Sequence, residues 1–350
     1  MIDRSFWRNR RVLVTGHTGF KGSWLCSWLL AHGAALRGVA LEPITKPNLF
    51  SLLALGSEME SATLDLRDRD ALRATLRGMP PEIVIHMAAQ PLVRRGVREP
   101  HETFETNVMG LVNLLDALRE SRAPIAFVCV TSDKVYARSG DDRAFVEGDA
   151  LGGDDPYSAS KACAEIVCQA YRQTYGAGDG LRIATARAGN VIGGGDYSQD
   201  RLVPDVVAAC SRKEAPLLRN PDAIRPWQHV LDALFGYLLL AQRLHENRDA
   251  ETSWNFGPQE ARTPTVAAVA ERIATILDGP HWQKATDDGP RERHALRVDS
   301  SKARATLGWR SKMSVDAAID WTAQWYARHA AGRDTRSLVA EQISAYEALP

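Results

Sequence analysis

The sequence has no surplus of either charge: 43 Lys and Arg are balanced by 43 Asp and Glu, for a formal net charge of zero. A nucleic-acid partner would call for a basic excess, and there is none. Long apolar runs are also missing. LFGYLLLA at 234–241 is among the longest, well short of the roughly 20 residues that cross a bilayer. Cysteine is scarce. Cys26, Cys129, Cys163, Cys168 and Cys210 form an odd, scattered set without CxxC spacing, which fits free thiols in a reducing compartment and supports neither zinc nor disulfides. No group of His and carboxylates has metal-ligand spacing. The start, MIDRSFWRNRRVLVTG, passes from polar residues into a strand, and no secretory signal is expected there. Repeats and low-complexity tracts are absent, and 45% apolar with 25% charged residues excludes a disordered or fibrous chain. The expectation is a cytoplasmic protein without membrane or nucleic-acid partners.

What the chain of 350 residues does have is alternation. RRVLVTG (10–16), LRGVAL (36–41), EIVIHMAA (82–89), IAFVCV (125–130) and RIATARAG (182–189) read as strands. Helical spacing fills the four intervals between them: SWLCSWLLAHG (23–33), a polar stretch around 68–78, residues 105–120 with Val108, Leu111, Leu114, Leu115 and Leu118 on one face, and YSASKACAEIVCQAYRQTYG (157–176). Strand–helix alternation over this length predicts an α/β fold of the Rossmann type, a doubly wound parallel sheet. Beyond Asn190 the texture turns to Gly, Pro, Asp and Arg, as in loops around a ligand, before helices at 265–277 and 315–330. The expected division is a dinucleotide-binding domain over 1–187, with 225–252 returning to it. A smaller carboxy-terminal α/β substrate lobe would span 188–224 and 253–350.

Two patterns carry chemistry. GHTGFKG places Gly16, Gly19 and Gly22 between a strand and a helix, where glycines let the backbone approach a pyrophosphate and the helix start supplies free N–H groups. The acid that usually holds the NAD ribose would fall near Ala40, and Glu42 lies two residues on; Asp65, after the next strand, is better placed for the adenine edge. No arginine stands ready for a 2′-phosphate, which favours NAD over NADP. Tyr157 and Lys161 form YxxxK, one turn apart on a helix. An ammonium beside a phenol should draw its pKa down toward that of a general base. Ser132, 25 residues earlier at a strand end, completes a set that can deprotonate an alcohol while hydride leaves its carbon. The same strand end also carries Asp133 and Lys134, for which alcohol oxidation has no need.

TGHTGFKG, HMAAQ, Asn107, SDK, YSASK and ARAGNVIGGGD together resemble the extended short-chain dehydrogenase/reductase family, and within it the nucleotide-sugar 4,6-dehydratases. AIRPWQHV and SSKARATLGW are similar to that group too, so the likeness covers about residues 5–325. The resemblance implies that Gly16, Thr18, Gly19, Phe20, Lys21, Gly22, Asp65, Leu66, Ala88, Ala89, Gln90, Asn107, Thr131, Tyr157 and Lys161 line the dinucleotide. It likewise implies that Gln90, Asn190, Arg201, Leu202 and His229 face a nucleotide-sugar substrate and that Arg225 meets its diphosphate, for which a planar guanidinium is suited. The implied reaction oxidises C4 of a hexose, eliminates water across C5 and C6, and returns the hydride to C6. Asp133 would then be the acid on the C6 oxygen. Lys134, which resembles the CDP-sugar subgroup where thymidine-nucleotide enzymes have glutamate, would be the base at C5 or a stabiliser of the enolate. A homodimer or homotetramer, paired through the helices near 105–120 and 157–176, is implied as well.

Some residues are set aside. His86 reads as a core histidine, and Trp227, Trp254 and Trp309 as packing residues. Glu292 and His294 match the subgroup's late loop. ARSGDDRAFVEGDALGGDD (137–155) departs from that subgroup, with Phe145 as its only aromatic. Two alternatives stay open: an epimerase or reductase on the same scaffold, and a non-catalytic dinucleotide sensor. The first has no use for Asp133 and Lys134, the second none for Tyr157 and Lys161.

Overall fold

The computed structural model describes residues 2–77, 80–138, 143–246, 250, 252–259, 263–286 and 296–350. Its centre is a parallel sheet of seven strands: β1 (Arg11–Thr15), β2 (Ala35–Ala40), β3 (Glu60–Thr63), β4 (Ile83–His86), β5 (Ile125–Val130), β6 (Leu181–Ala188) and β7 (Ser253–Phe256). The order is β3-β2-β1-β4-β5-β6-β7, with Val12 beside Ile83, Ile83 beside Ala126 and Ile125 beside Leu181. All six residues of β5 are buried, because helices cover both faces of a parallel sheet. Chain direction along the sheet reverses between β1 and β4. Loops at the carboxyl ends of these two strands therefore diverge and leave a crevice, the usual ligand position in such sheets.

The helices that matter to that crevice are α1 (Phe20–Ala31), α2 (Arg69–Leu76), α3 (Gly110–Arg119), α4 (Pro156–Asp179), α5 (Leu202–Ser211), α6 (Val230–His245), α7 (Val266–Ile276), α8 (Val315–Ala330) and α9 (Thr335–Ala348). One apolar cluster gathers Trp24, Trp28, α6 and the carboxy-terminal helices on one face of the sheet. A second gathers Leu111, Leu114, Leu115 and Cys168 on the other. The helix expected across 105–120 is interrupted: a wide turn at Glu105–Met109 precedes α3. Asn107 explains it, since its side chain turns inward to the Gln90 main chain and to Ser160. Such bulges recur near functional sites.

Helix α6 lies on β4, β5 and β6, as a return of 225–252 to the first domain would have it. The division at 252/253 does not hold, however, because β7 pairs with β6 (Ser253 beside Thr185) and extends the same sheet. The second lobe is built from α5, α7 and α8, with α7 packed on both of the others. Leu217–Leu218 pairs with Gln283–Lys284 there. Among the described residues, no helix is long and apolar enough to cross a membrane.

Candidate active site

The glycine turn shows which glycines serve the fold and which serve a ligand. Gly16 has φ +74°, and a Cβ on it would lie 2.7 Å from Ala88 N; one on Gly22 would lie 2.2 Å from Gly16 O. Both are demanded by packing. At Gly19 the added carbon would meet only Gly16 O, at 3.4 Å, so the fold itself tolerates a side chain there. Gly19 precedes α1 without a side-chain cap, leaving first-turn N–H groups directed at the same space. A backbone kept bare where packing does not require it fits a pyrophosphate lying against a helix start. Thr18 braces the turn through Leu41 O at 2.8 Å. Asp65 accepts from Arg67, and that guanidinium holds its carboxyl below the usual range.

Beyond the turn, a cavity of about 340 Å³ opens at the carboxyl ends of β4, β5 and β6. All five residues singled out for catalysis line it: Ser132, Asp133, Lys134, Tyr157 and Lys161. Asp155 caps α4 by accepting from Ser158 N at 3.0 Å, with Pro156 in the first turn, which presents Tyr157 at the start of the helix. Lys161, one turn on, donates to Val130 O at 3.1 Å. Ser132 precedes a single 3-10 turn, Asp133–Val135, and its hydroxyl accepts from Lys134 N at 3.2 Å while facing Asp133 Oδ1 at 3.1 Å.

Burial governs the acids and bases here. Asp133 is 2% exposed. Desolvation pushes its pKa up, against the pull of Lys134, Ser132 and Arg225. Its Oδ2 has no protein partner among the described residues and points at Gly189, where a Cβ would come within 3.1 Å of it. The phenol of Tyr157 departs from expectation. Burial raises its pKa more than Ser132 and Arg201 lower it, and the ammonium expected to depress it is bonded to Val130 instead. Lys161 itself is lowered by burial. Lys21 is pushed down to about 7 by burial, then by Lys161 and Arg201.

Asn190, Arg201, Leu202 and Arg225, all beyond β6 in the chain, line the cavity together with Lys21, Ala89 and Thr131. Arg201 donates to Asp196 at 3.3 Å, and Arg225 to Ile224 O at 2.9 Å. Three residues are placed differently. His229 is fully buried, caps α6 through Leu231 N and sits between the rings of Trp24 and Trp321; burial drives its pKa down to about 3, and it does not line the cavity. Gln90 and Asn107 also lie behind the wall. Asn107 clamps the Gln90 main chain, while the Gln90 amide accepts from Leu92 N and donates to Thr103. Leu66 is buried beneath Gly110, and Ala88 contributes backbone against Gly16.

Most residues set aside behave as packing: His86 bonds Thr15 at 2.7 Å inside the sheet, and Trp254 and Trp309 are 1% and 0% exposed. Trp227, though only 4% exposed, lines the cavity. Phe145 stacks on Tyr136, centroids 4.7 Å apart, so this part of the divergent 137–155 segment packs away from the cavity. Glu292 and His294 lie outside the described residues. Sequence reasoning missed Asp200, which bridges Arg94 and Arg219 at the cavity wall, and Glu165. Only Glu165 left a signal, standing four residues after Lys161 on one helix face.

The model of the GDP-mannose 4,6 dehydratase family matches residues 13–322. The chain is 42% identical to the CDP-glucose 4,6-dehydratase of Salmonella typhimurium, over 99% of this chain and 98% of that protein. Among solved structures it resembles the dTDP-glucose 4,6-dehydratase DesIV from Streptomyces venezuelae, crystallised with NAD and TYD bound (TM-score 0.78, 26% identity, 93% of this chain and 99% of that one). It is similar also to the UDP-glucose 4-epimerase of Thermus thermophilus in complex with NAD (TM-score 0.76, 26% identity, 90% and 98%). Dehydratases and epimerases thus share this architecture, and the groups in the cavity must tell them apart.

Proposed function

The chain belongs to the GDP-mannose 4,6 dehydratase family, and from that premise we propose an NAD-dependent hydro-lyase converting CDP-glucose to CDP-4-dehydro-6-deoxyglucose and water. One observation carries this reading. Two separate acid–base sets, Ser132 with Tyr157 and Lys161, and Asp133 with Lys134, line a single cavity. Epimerisation at C4 uses only the first set; loss of water across C5 and C6 needs the second.

The glycine turn, Asp65 and Lys161 would hold NAD, which accepts the C4 hydride and gives it back at C6. Tyr157, beside Ser132, takes the proton of the C4 hydroxyl. The resulting ketone acidifies the C5 proton. Asp133 is suited to protonate the leaving C6 oxygen, because burial keeps its own proton on at pH values where an exposed carboxyl has lost it. Lys134, next along the chain, acts at C5 as base or as a charge that steadies the enolate. Arg201 and Arg225, which line the same cavity, would suit a diphosphate.

The nucleotide assignment follows the Salmonella relative and Lys134. Such a product would feed deoxysugars for surface polysaccharides, made in the cytoplasm. Pairing of two copies is supported by Phe104, Met109 and Ile166, large apolar residues exposed on the helical face formed by residues 100–109 and α4. The test is incubation with CDP-, dTDP-, UDP- and GDP-hexoses, followed by assay for 4-keto products. Turnover of CDP-glucose above the others supports the reading; retained NAD binding with no product from any would sink it.

A further inference from the structure

Behind the cavity lies a buried array of polar side chains that the reaction itself does not use. Glu165 is 5% exposed and Arg187, on β6, is 3% exposed. Glu165 Oε1 accepts from Thr131 Oγ1 at 2.5 Å and from Arg187 Nε at 3.0 Å. Its Oε2 accepts from Thr185 Oγ1 at 2.6 Å and from Arg187 Nη2 at 2.8 Å. Arg187 Nη1 donates to the Tyr136 hydroxyl at 2.9 Å and to Glu147 O at 3.1 Å. The Tyr136 hydroxyl in turn donates to Asn255 Oδ1 at 2.6 Å.

The places these bonds reach are what matter. Thr131 immediately precedes Ser132, and Tyr136 is the second residue after Lys134. The segment carrying the elimination pair is therefore gripped at both ends. Glu165 stands one turn beyond Lys161 on α4, so the helix carrying the oxidation pair is gripped by the same carboxylate. Burying an ion pair costs desolvation that apolar packing would avoid, and its return is directional: a bidentate guanidinium–carboxylate contact fixes both partners in distance and angle.

We propose that Glu165 and Arg187 are a positioning pair that holds the elimination set in register with the oxidation set, so that both act on one bound hexose. The inference rests on the dehydratase reading. Its test is a single turnover of CDP-glucose by the NAD-loaded full chain, comparing Tyr136→Phe and Glu165→Gln with the parent. Reduced-nicotinamide absorbance follows C4 oxidation, and 4-keto-6-deoxy product follows elimination. Thermal midpoints are recorded alongside.

Tyr136→Phe keeps the ring stacked on Phe145 and removes only the hydroxyl link, so it tests the idea even if Glu165→Gln fails to fold. The expected result is elimination slowed about tenfold or more with oxidation slowed less than about threefold, so that reduced nicotinamide accumulates. If Tyr136→Phe loses both rates by one factor, or loses neither, the positioning role is overturned, whatever happens to the thermal midpoint. If the parent itself makes no 4-keto product, the dehydratase reading falls and takes the positioning role with it.

Discussion

Asp133 shows how one side chain acquires a task. A carboxyl at 2% exposure beside a lysine feels two opposed effects, and burial outweighs the neighbouring charge. Its proton is held to higher pH than on an exposed carboxyl, as a donor to the leaving oxygen would require. Replacing it with Asn keeps the shape and removes the transferable proton. Asp133→Asn should therefore slow elimination by about 10²-fold or more, the usual scale of general acid catalysis, while C4 oxidation falls much less; equal losses in single-turnover assays would refute the assignment. The pH dependence has a definite sign. Rising pH strips the proton from Asp133 and eases deprotonation of Tyr157, whose pKa burial holds high. The ratio of reduced nicotinamide to product in a single turnover should climb with pH, and a flat or falling ratio would contradict these roles.

Elements place such residues, and the turn before α1 separates two demands on glycine. Gly22→Ala drives a methyl to 2.2 Å from a backbone oxygen, whereas Gly19→Ala meets nothing closer than 3.4 Å. Gly22→Ala should fail to fold or melt far lower. Gly19→Ala should melt close to the parent yet bind NAD about tenfold or more weakly, a difference of about 1.4 kcal/mol; calorimetric titration with NAD checks it. On α6, Asp232 is fully buried and accepts from Lys312 N, Ser311 and Tyr346, tying the carboxy-terminal helix α9 to the sheet. Burial raises its pKa from 3.8 to about 6 despite those bonds. With the folded value above the unfolded one, its contribution is full below about 4 and is lost as pH rises through about 6. That loss is on the order of 3 kcal/mol. Asp232→Asn should lack this component, so the difference in melting temperature between parent and variant should shift in the variant's favour from about pH 4 to about pH 6.

At the scale of the whole molecule, one cavity gathers Ser132, Asp133, Lys134, Tyr157 and Lys161 together with Arg201 and Arg225 from beyond β6. The exposed apolar face around Phe104, Met109 and Ile166 belongs to the helices behind the catalytic strand end. An arginine there would leave a charge desolvated in any copy-to-copy contact. Under the proposed pairing of two copies, the parent should sediment as a dimer and Ile166→Arg as a monomer with a cooperative melting transition; a monomeric parent, or an assembly unchanged by the substitution, would refute pairing through this face.

The amino-acid order alone determined the strand–helix alternation, the glycine turn and the short patterns SDK and YxxxK, because each is a pattern over neighbouring residues, while the fold brought the last two to one cavity. Helix α8 falls on the expected residues, 315–330, since its periodicity is unbroken. The wide turn at Glu105–Met109 was beyond such reading, because the partners of Asn107 stand 17 and 53 residues away. So was the placement of His229, whose ring is enclosed by tryptophans from α1 and α8. Above all, only the tertiary structure decided where protons sit. Lys161 reaches Val130 rather than the Tyr157 phenol, and Asp133 keeps a raised pKa beside a lysine. A pKa is set by desolvation and by charges brought together from distant parts of the chain, and neither exists until the chain has folded.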